Sequence, residues 1–312
     1  MNRWDGERLR GQSGFVLLIA LLIILLLSVI IFEIDFQARA DLRSAVNFRD
    51  DTAAYYLALS GISLGKDVLR EDLQNQNEPW DTATDIWATE VPPVPLGEGT
   101  VSGAIKDESA KINLNQLIGN QDNLIPWRKI QLQRLFRLLE VNPELTDPII
   151  DWIDKNSNAE SYGAENDFYQ FLDPPYTAKN GPMETLEELH FIKGISPEVY
   201  EKIVPYLTIY PERLNINTAD TIILQSLHDA ISEEIAKQLI ENRPYVQPNV
   251  GDFKTKLGNA ILGTMDTGLL GALDNRSNFF SITAIGTVGN TKKALHAVWN
   301  RQKNRLLYLA VQ

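Results

Sequence analysis

The sequence predicts an α+β fold: one long N-terminal helix, apolar enough to cross a membrane, packs on an antiparallel sheet that carries a large all-helical insertion. Three observations predict it. Residues 15–32 run for eighteen positions without a charge, and at about 1.5 Å per residue that nearly spans a hydrocarbon core of roughly 30 Å. Helical periodicity continues beyond this run, with no proline before Pro79. Strand-like alternation appears only around 99–115 and again over 278–312, so the last strands need the first as partners and the helical signals between them form an insertion.

The N-terminal run ends in Phe32-Glu33-Ile34-Asp35-Phe36. A cleavable secretory signal has a shorter apolar stretch followed by small residues, and nothing after this run has that character. The candidate cut lies before it, at Ser13-Gly14/Phe15, where a polar leader carrying Arg3, Arg8 and Arg10 meets the helix. A plain signal anchor is the alternative on these residues alone. Three arginines face Asp5 and Glu7 in the leader, while Glu33 and Asp35 open the far side. The positive-inside rule therefore puts the N-terminus in the cytoplasm and the bulk of the chain outside the membrane.

Past the membrane, Phe36, Ala40, Val46, Ala53, Tyr56, Leu57, Leu64, Val68 and Leu69 recur at helical spacings, predicting a spine helix to about Leu73 with one docked stripe. Within it, Gly61-Ile62-Ser63-Leu64-Gly65 matches the hydrolase pattern G-x-S-x-G. That motif needs a strand-to-helix turn, and here both flanks read as helix. The glycines are read instead as a close-packing surface.

Residues 74–99 are rich in Asn, Pro and Gly and predict a connector. Two short strands joined by a turn at Asp107-Glu108-Ser109 are expected over 99–115. Helices are expected at 127–140, 147–154, 183–192, 197–207, 218–227, 232–243 and 250–257, then strands at 279–288, 293–301 and 305–311 joined by turns at Gly289-Asn290 and at the basic stretch from Arg301 to Arg305. The predicted organisation is 1–14 leader, 15–75 membrane and spine helix, 76–116 connector and first strands, 117–275 helical insertion and 276–312 final strands.

At 312 residues and 44% hydrophobic content the chain can build one or two real cores. With 29 Lys and Arg against 41 Asp and Glu, the net charge of −12 opposes binding to nucleic acid or anionic lipid and fits solubility or cation binding. There is no cysteine, which excludes disulfides and thiolate metal sites. His190, His228 and His296 have no metal-ligand spacing, and no residue is nominated as catalytic.

The strongest chemical cluster runs from Asp151 to Asp167. Counting Asp154 as position one, Asn156 and Asn158 follow at alternate positions and Glu165 falls twelfth, as in a calcium-binding loop. Ala159 stands at the sixth position, where an EF-hand has Gly for its turn, so the expectation is a hard-oxygen site on a different loop path, with a merely solvated acidic loop as the alternative. Asp154, Glu165 and Asp167 are the leading candidate ligands, with Asp151, Asn156 and Asn158 behind them. Two stretches, 189–203 and 214–243, each look like a helix-hairpin-helix. The first hairpin has Ser196 where DNA-binding versions have a second Gly, the second has Asp229-Ala230, and Glu198, Glu201, Glu233 and Glu234 stand where phosphate binding wants cations.

The Gly14/Phe15 junction resembles the leader of type IV pilins and pseudopilins. Most of that superfamily has Glu at the fifth mature position, where this chain has Ile19. The missing Glu resembles the K-type minor pseudopilins of type II secretion, as do Asp151-Trp152-Ile153-Asp154, then Gly163-Ala164-Glu165, Asp167 and Tyr169, and Asn215-Ile216-Asn217-Thr218-Ala219. The resemblance implies cleavage after Gly14 by prepilin peptidase, methylation of Phe15, and single-pass residence in a bacterial inner membrane with the bulk in the periplasm. It also implies structural calcium in the helical insertion and a non-enzymatic role in protein export. There the chain would join I-type and J-type minor pseudopilins, with the other pseudopilins below, and prime assembly at the pseudopilus tip. The competing expectation is a membrane-tethered, competence-type DNA-binding protein that uses its hairpins.

Overall fold

A computed structural model describes residues 8–74, 78–210 and 213–311. The leader positions Arg3, Asp5 and Glu7 lie outside the described residues. Helix α1 (Arg8–Leu73) runs unbroken for 66 residues, about 100 Å at 1.5 Å per residue. The side chains of 15–32 are exposed throughout, as expected of a surface that faces lipid or neighbouring helices. One helix among the described residues is long and apolar enough to cross a membrane, near the N-terminus.

The distal part of α1 docks on the sheet through Ala54, Ala58, Ile62 and Leu69, all buried. Of the predicted stripe Leu69 is buried and Val68 packs beside the core, whereas Tyr56 and Leu64 are 61% and 56% exposed. Small residues explain the difference. A Cβ added at Gly61 would come within 2.8 Å of Ala284 Cβ and 2.9 Å of Val101 Cγ2, and one at Gly65 within 2.9 Å of Ile282 Cγ2. From the sheet side, Gly286 lies directly under the backbone of Ala54 and Ala58. Helix and sheet approach through glycine and alanine, so the large apolar residues do not mark the contact. Ser63 is exposed on an unbroken helix, without the strained turn a nucleophile elbow requires.

Strands β1 (Val91–Leu96) and β2 (Gly99–Asp107) follow the spine. β1 falls in the expected connector. Its sequence VPPVPL is tolerated because it is the outermost strand of the sheet, where prolines lacking an N–H leave no ladder bond unmade. The expected second strand of the 99–115 pair does not join this sheet. Asp107 instead caps a 3₁₀ turn, its Oδ1 accepting from Ser109 N at 2.7 Å, and β3 (Ile112–Asn113) is drawn into the insertion.

The insertion contains α2 (Pro126–Leu138), α3 (Thr146–Ile153), α4 (Asn166–Tyr169), α5 (Pro197–Ile203) and β4 (Leu207–Thr208), then β5 (Leu214–Asn215), α6 (Thr221–Ser226), α7 (Glu233–Glu241), α8 (Gly251–Leu257), α9 (Asn259–Leu262), α10 (Thr267–Gly271) and β6 (Leu273–Asp274). Most of the expected helices are present within a few residues. The 183–192 segment is 3₁₀ over Leu186–Phe191.

The insertion is built as two successive units. In each, a two-residue strand at the start pairs parallel with one at the end, β3 with β4 and β5 with β6. In each, an Asn-x-Asn follows. Asn113 and Asn215 accept from the N–H two residues on, at 2.9 Å. Asn115 brackets the backbone of Met183, accepting from N at 2.7 Å and donating to O at 2.9 Å. Asn217 does the same to Tyr245, at 2.8 and 3.0 Å. The N-I-N-T-A segment is thus a structural clip with a counterpart at 112–115.

β7 (Phe279–Val288), β8 (Thr291–Asn300) and β9 (Arg305–Val311) complete an antiparallel sheet of order β1-β2-β7-β8-β9. β2 and β7 pair directly, from Thr100 opposite Thr287 to Asp107 opposite Phe280, so the insertion leaves and returns between neighbouring strands. Gly61 lies by Ala284 and Gly65 by Ile282, so β7 runs antiparallel to α1. The insertion therefore joins the sheet at the end of α1 farthest from the apolar span. Two apolar cores result, one around Phe280, Ile282, Leu295 and Trp299 under α1 and one within the insertion.

Candidate functional site

The acidic segment begins on α3, whose first turn is fixed by Asp147. That carboxylate pairs with Lys129 at 2.8 Å and accepts from Tyr162 N at 3.1 Å. Lys129 also reaches Glu160 at 2.7 Å, which folds the loop back over the helix. One turn on, Asp151 is buried and accepts from Glu160 N at 3.0 Å, with Ala164 N–H also directed at it. A Cβ on Gly163 would collide with Asp151 Oδ2. The Gly of Gly163-Ala164-Glu165 is therefore required by close approach, as a side chain would displace the carboxylate. Asp154 closes the helix with extended backbone and is buried.

Glu165 precedes α4 and points inward, also buried. Neither of its carboxylate oxygens has a hydrogen-bond partner, nor has Asp154 Oδ1. Asn180, a residue with left-handed backbone (φ 47°), brings a fourth buried and unpartnered side-chain oxygen, and its amide donates to Asn156 O at 3.3 Å. Buried acceptors of this kind are rare because each forfeits its hydration without replacement. Their neighbours sharpen the point. Burial, then repulsion from Asp151 and Asp154, raises Glu165 to about 7, and burial raises Asp151 and Asp154 to about 6.

Carboxylate and amide oxygens without donors, and with no nitrogen or sulfur among them, match the donor set of a hard divalent cation. Of the predicted ligands, Asp151, Asp154 and Glu165 converge in the interior, and Asn156 borders them beside Asp154. Asn158 and Asp167 are exposed, the latter on the outer side of α4. Asn180 was not foreseen, because it lies far along the chain and no spacing rule reaches it. The tightest carboxylate trio among the described residues is elsewhere. Asp72, Asp81 and Asp85 have oxygens within 4.8 Å of one another, but Arg301 already pairs with the first two, and Thr82 and Trp87 donate to the third.

At the other candidate positions the surroundings are open. Gly14 has no atom near its Cβ position and Phe15 is exposed, so the junction is accessible on the helix. The first hairpin turns on Gly194 (φ 82°) and Ser196 caps α5. Glu198, Glu233 and Glu234 are exposed in the first turns of α5 and α7, placing negative charge where a phosphate would approach.

Profiles described as type II secretion system (T2SS), protein K match residues 110–212 and 214–270, and these ranges follow the two units of the insertion. The type II secretion system protein K of Aeromonas hydrophila is 29% identical over 320 residues, covering 96% of this chain and 96% of that protein. That of Pseudomonas aeruginosa is 30% identical, covering 75% and 73%. Among solved structures, the GspK-GspI-GspJ complex from the type 2 secretion system of enterotoxigenic Escherichia coli contains a chain of the same fold. Its TM-score is 0.70 at 22% identity, with 87% of this chain and 99% of that one covered. A membrane-length helix, an antiparallel sheet and a two-unit helical insertion thus accompany matches over most of the sequence: the chain belongs to the type II secretion system protein K family, the K-type minor pseudopilins.

Proposed function

We propose that the chain is a non-enzymatic tip subunit that primes assembly of the periplasmic pseudopilus together with I-type and J-type minor pseudopilins. The observation that carries the proposal is the place of the insertion, joined to the sheet at the end of α1 farthest from the apolar span. A mass of about 170 residues there would obstruct a subunit stacking above while leaving the helix free to pack below. Ile19 fits the same role. A buried carboxylate in an apolar helix is tolerated when a neighbour neutralises it, and a first subunit has no neighbour above to serve.

In this reading prepilin peptidase cuts between Gly14 and Phe15, Phe15 is methylated, and the bulk of the chain lies in the periplasm with α1 in the inner membrane. The insertion holds a structural calcium through Asp151, Asp154 and Glu165. Asn180 joins from the far side of the loop, with Asn156, Asn158 and Asp167 at the rim. The chain takes no nucleic acid. Expression with I-type, J-type and peptidase partners should give a co-purifying complex whose K-type chain has the mass of a protein starting at Phe15. A chain that retains Met1, or that never co-elutes with either partner, would refute the assignment.

A further inference from the structure

The two apolar cores are joined by a neck that is both buried and polar. The chain crosses it at Asp107, leaving β2, and at Asn275–Asn278, returning to β7. A few residues at strand ends, leading to a separate core, are the kind of place where a hinge forms. Here both crossings are bound. Asp107 accepts from Ser277 Oγ and Thr218 Oγ1, each at 2.5 Å, and from Asn215 Nδ2 at 3.3 Å. Asn215, fully buried, also donates to Ser277 Oγ at 2.8 Å and to Asp81 O at 3.1 Å.

A second set of bonds closes the neck from the sheet side. Arg301, in the turn between β8 and β9 and 7% exposed, reaches Asp72 Oδ2 at 2.6 Å, Asp81 Oδ2 at 2.8 Å and Ser277 O at 2.7 Å. Its guanidinium lies over the Phe280 ring at 4.9 Å. Asp81 in turn accepts from Ser277 N at 2.7 Å and donates its own N–H to Asn275 O at 2.9 Å. The end of the spine, the connector, both crossings, the second unit and the last turn of the sheet thus meet in one network.

We infer that this network is a clamp that fixes the insertion at a set angle on the spine helix, with Arg301 and Asn215 as its positioning residues. A planar guanidinium is suited to the task because it holds several acceptors in fixed directions at once. Apolar contact alone would permit sliding, whereas bonds to partners on six segments define a single arrangement. The clamp also assigns a role to the Asn215-x-Asn217-Thr218 stretch: Asn217 closes its own unit, while Asn215 and Thr218 tie that unit to the sheet.

The chain has no native cysteine, so two spin labels can be placed freely, at Ser63→Cys on the exposed side of α1 and at Glu241→Cys on α7. In the full chain in detergent micelles, dipolar spectroscopy should give one narrow distance. Arg301→Met, which keeps the packing on Phe280 but removes the donors, should leave the circular dichroism unchanged and give a distribution about twofold wider, as for a released hinge. Thr218→Val, at a half-buried site, should widen it less and decides the matter if R301M does not fold. Lys293→Gln, outside the neck, should change nothing. A broad distribution in the parent chain, or a narrow one in a folded R301M or T218V, would overturn the clamp.

Discussion

Glu165 concentrates the chemistry of the acidic loop, because both of its oxygens are buried without a donor. Without a cation, burial and its neighbours raise it to about 7, with Asp151 and Asp154 at about 6. Unfolded carboxyls titrate near 4, so the folded state holds protons more tightly. Stability from these groups is complete below about pH 4 and is lost as pH rises through about 6 to 7. The metal-free protein should therefore melt at a lower temperature at pH 7.5 than at pH 5. Calcium needs the deprotonated form, and a cation bound only to the folded state adds about 2.7 kcal/mol at a hundredfold excess over its Kd. The gap between melts in EGTA and in calcium should widen from pH 5 to pH 7.5, and Glu165→Ala should close most of it. Coincident melts at both pH values would end the calcium proposal.

Elements were legible where one physical rule dominates and obscure where two compete. Gly61 shows the second case. Its place mid-helix is costly by propensity, yet a side chain there would meet Ala284 and Val101 at under 3 Å, and overpacking of this sort costs about 1–3 kcal/mol. Gly61→Leu should destabilise the spine-sheet unit by at least about 2 kcal/mol in chemical denaturation. Ser63→Ala, exposed two positions away, should stay within about 0.5 kcal/mol, and equal effects would mean the helix does not rest on its glycines. The same competition hid the buried stripe of α1 from a reading of large apolar residues, and hid β1 behind its prolines. By contrast β7 buries every second residue from Ile282 to Val288, and both β7 and the apolar, β-prone β9 lie at their expected bounds. The ladders of β3 to β6 are two residues each, too short for any periodicity. The metal candidates divide likewise: Asp154 and Glu165 follow from local spacing and Asp151 from the same acidic segment, Asp167 is exposed, and Asn180 arrives through tertiary folding.

At the scale of the whole molecule, the tip proposal is a statement about which sides of α1 have neighbours. A subunit inside a helical filament meets others above and below, so its helix is surrounded. A subunit at the end meets only those beneath it. Phe36, Leu42 and Phe48 are all exposed on α1 and lie six residues apart, which at about 100° per residue sets them roughly 120° apart around the axis. Single cysteines at these positions in the otherwise cysteine-free chain sample three faces of one helix above the span. In assembled pseudopili, a short homobifunctional cross-linker should join one or two adjacent faces to I-type, J-type or major subunits and leave the remaining face unlinked. The insertion, held out over the distal end of the helix, is what would keep that face free. Comparable yields from all three positions would mean the helix is enclosed, and the chain would then be a subunit within the filament despite the bulk it carries.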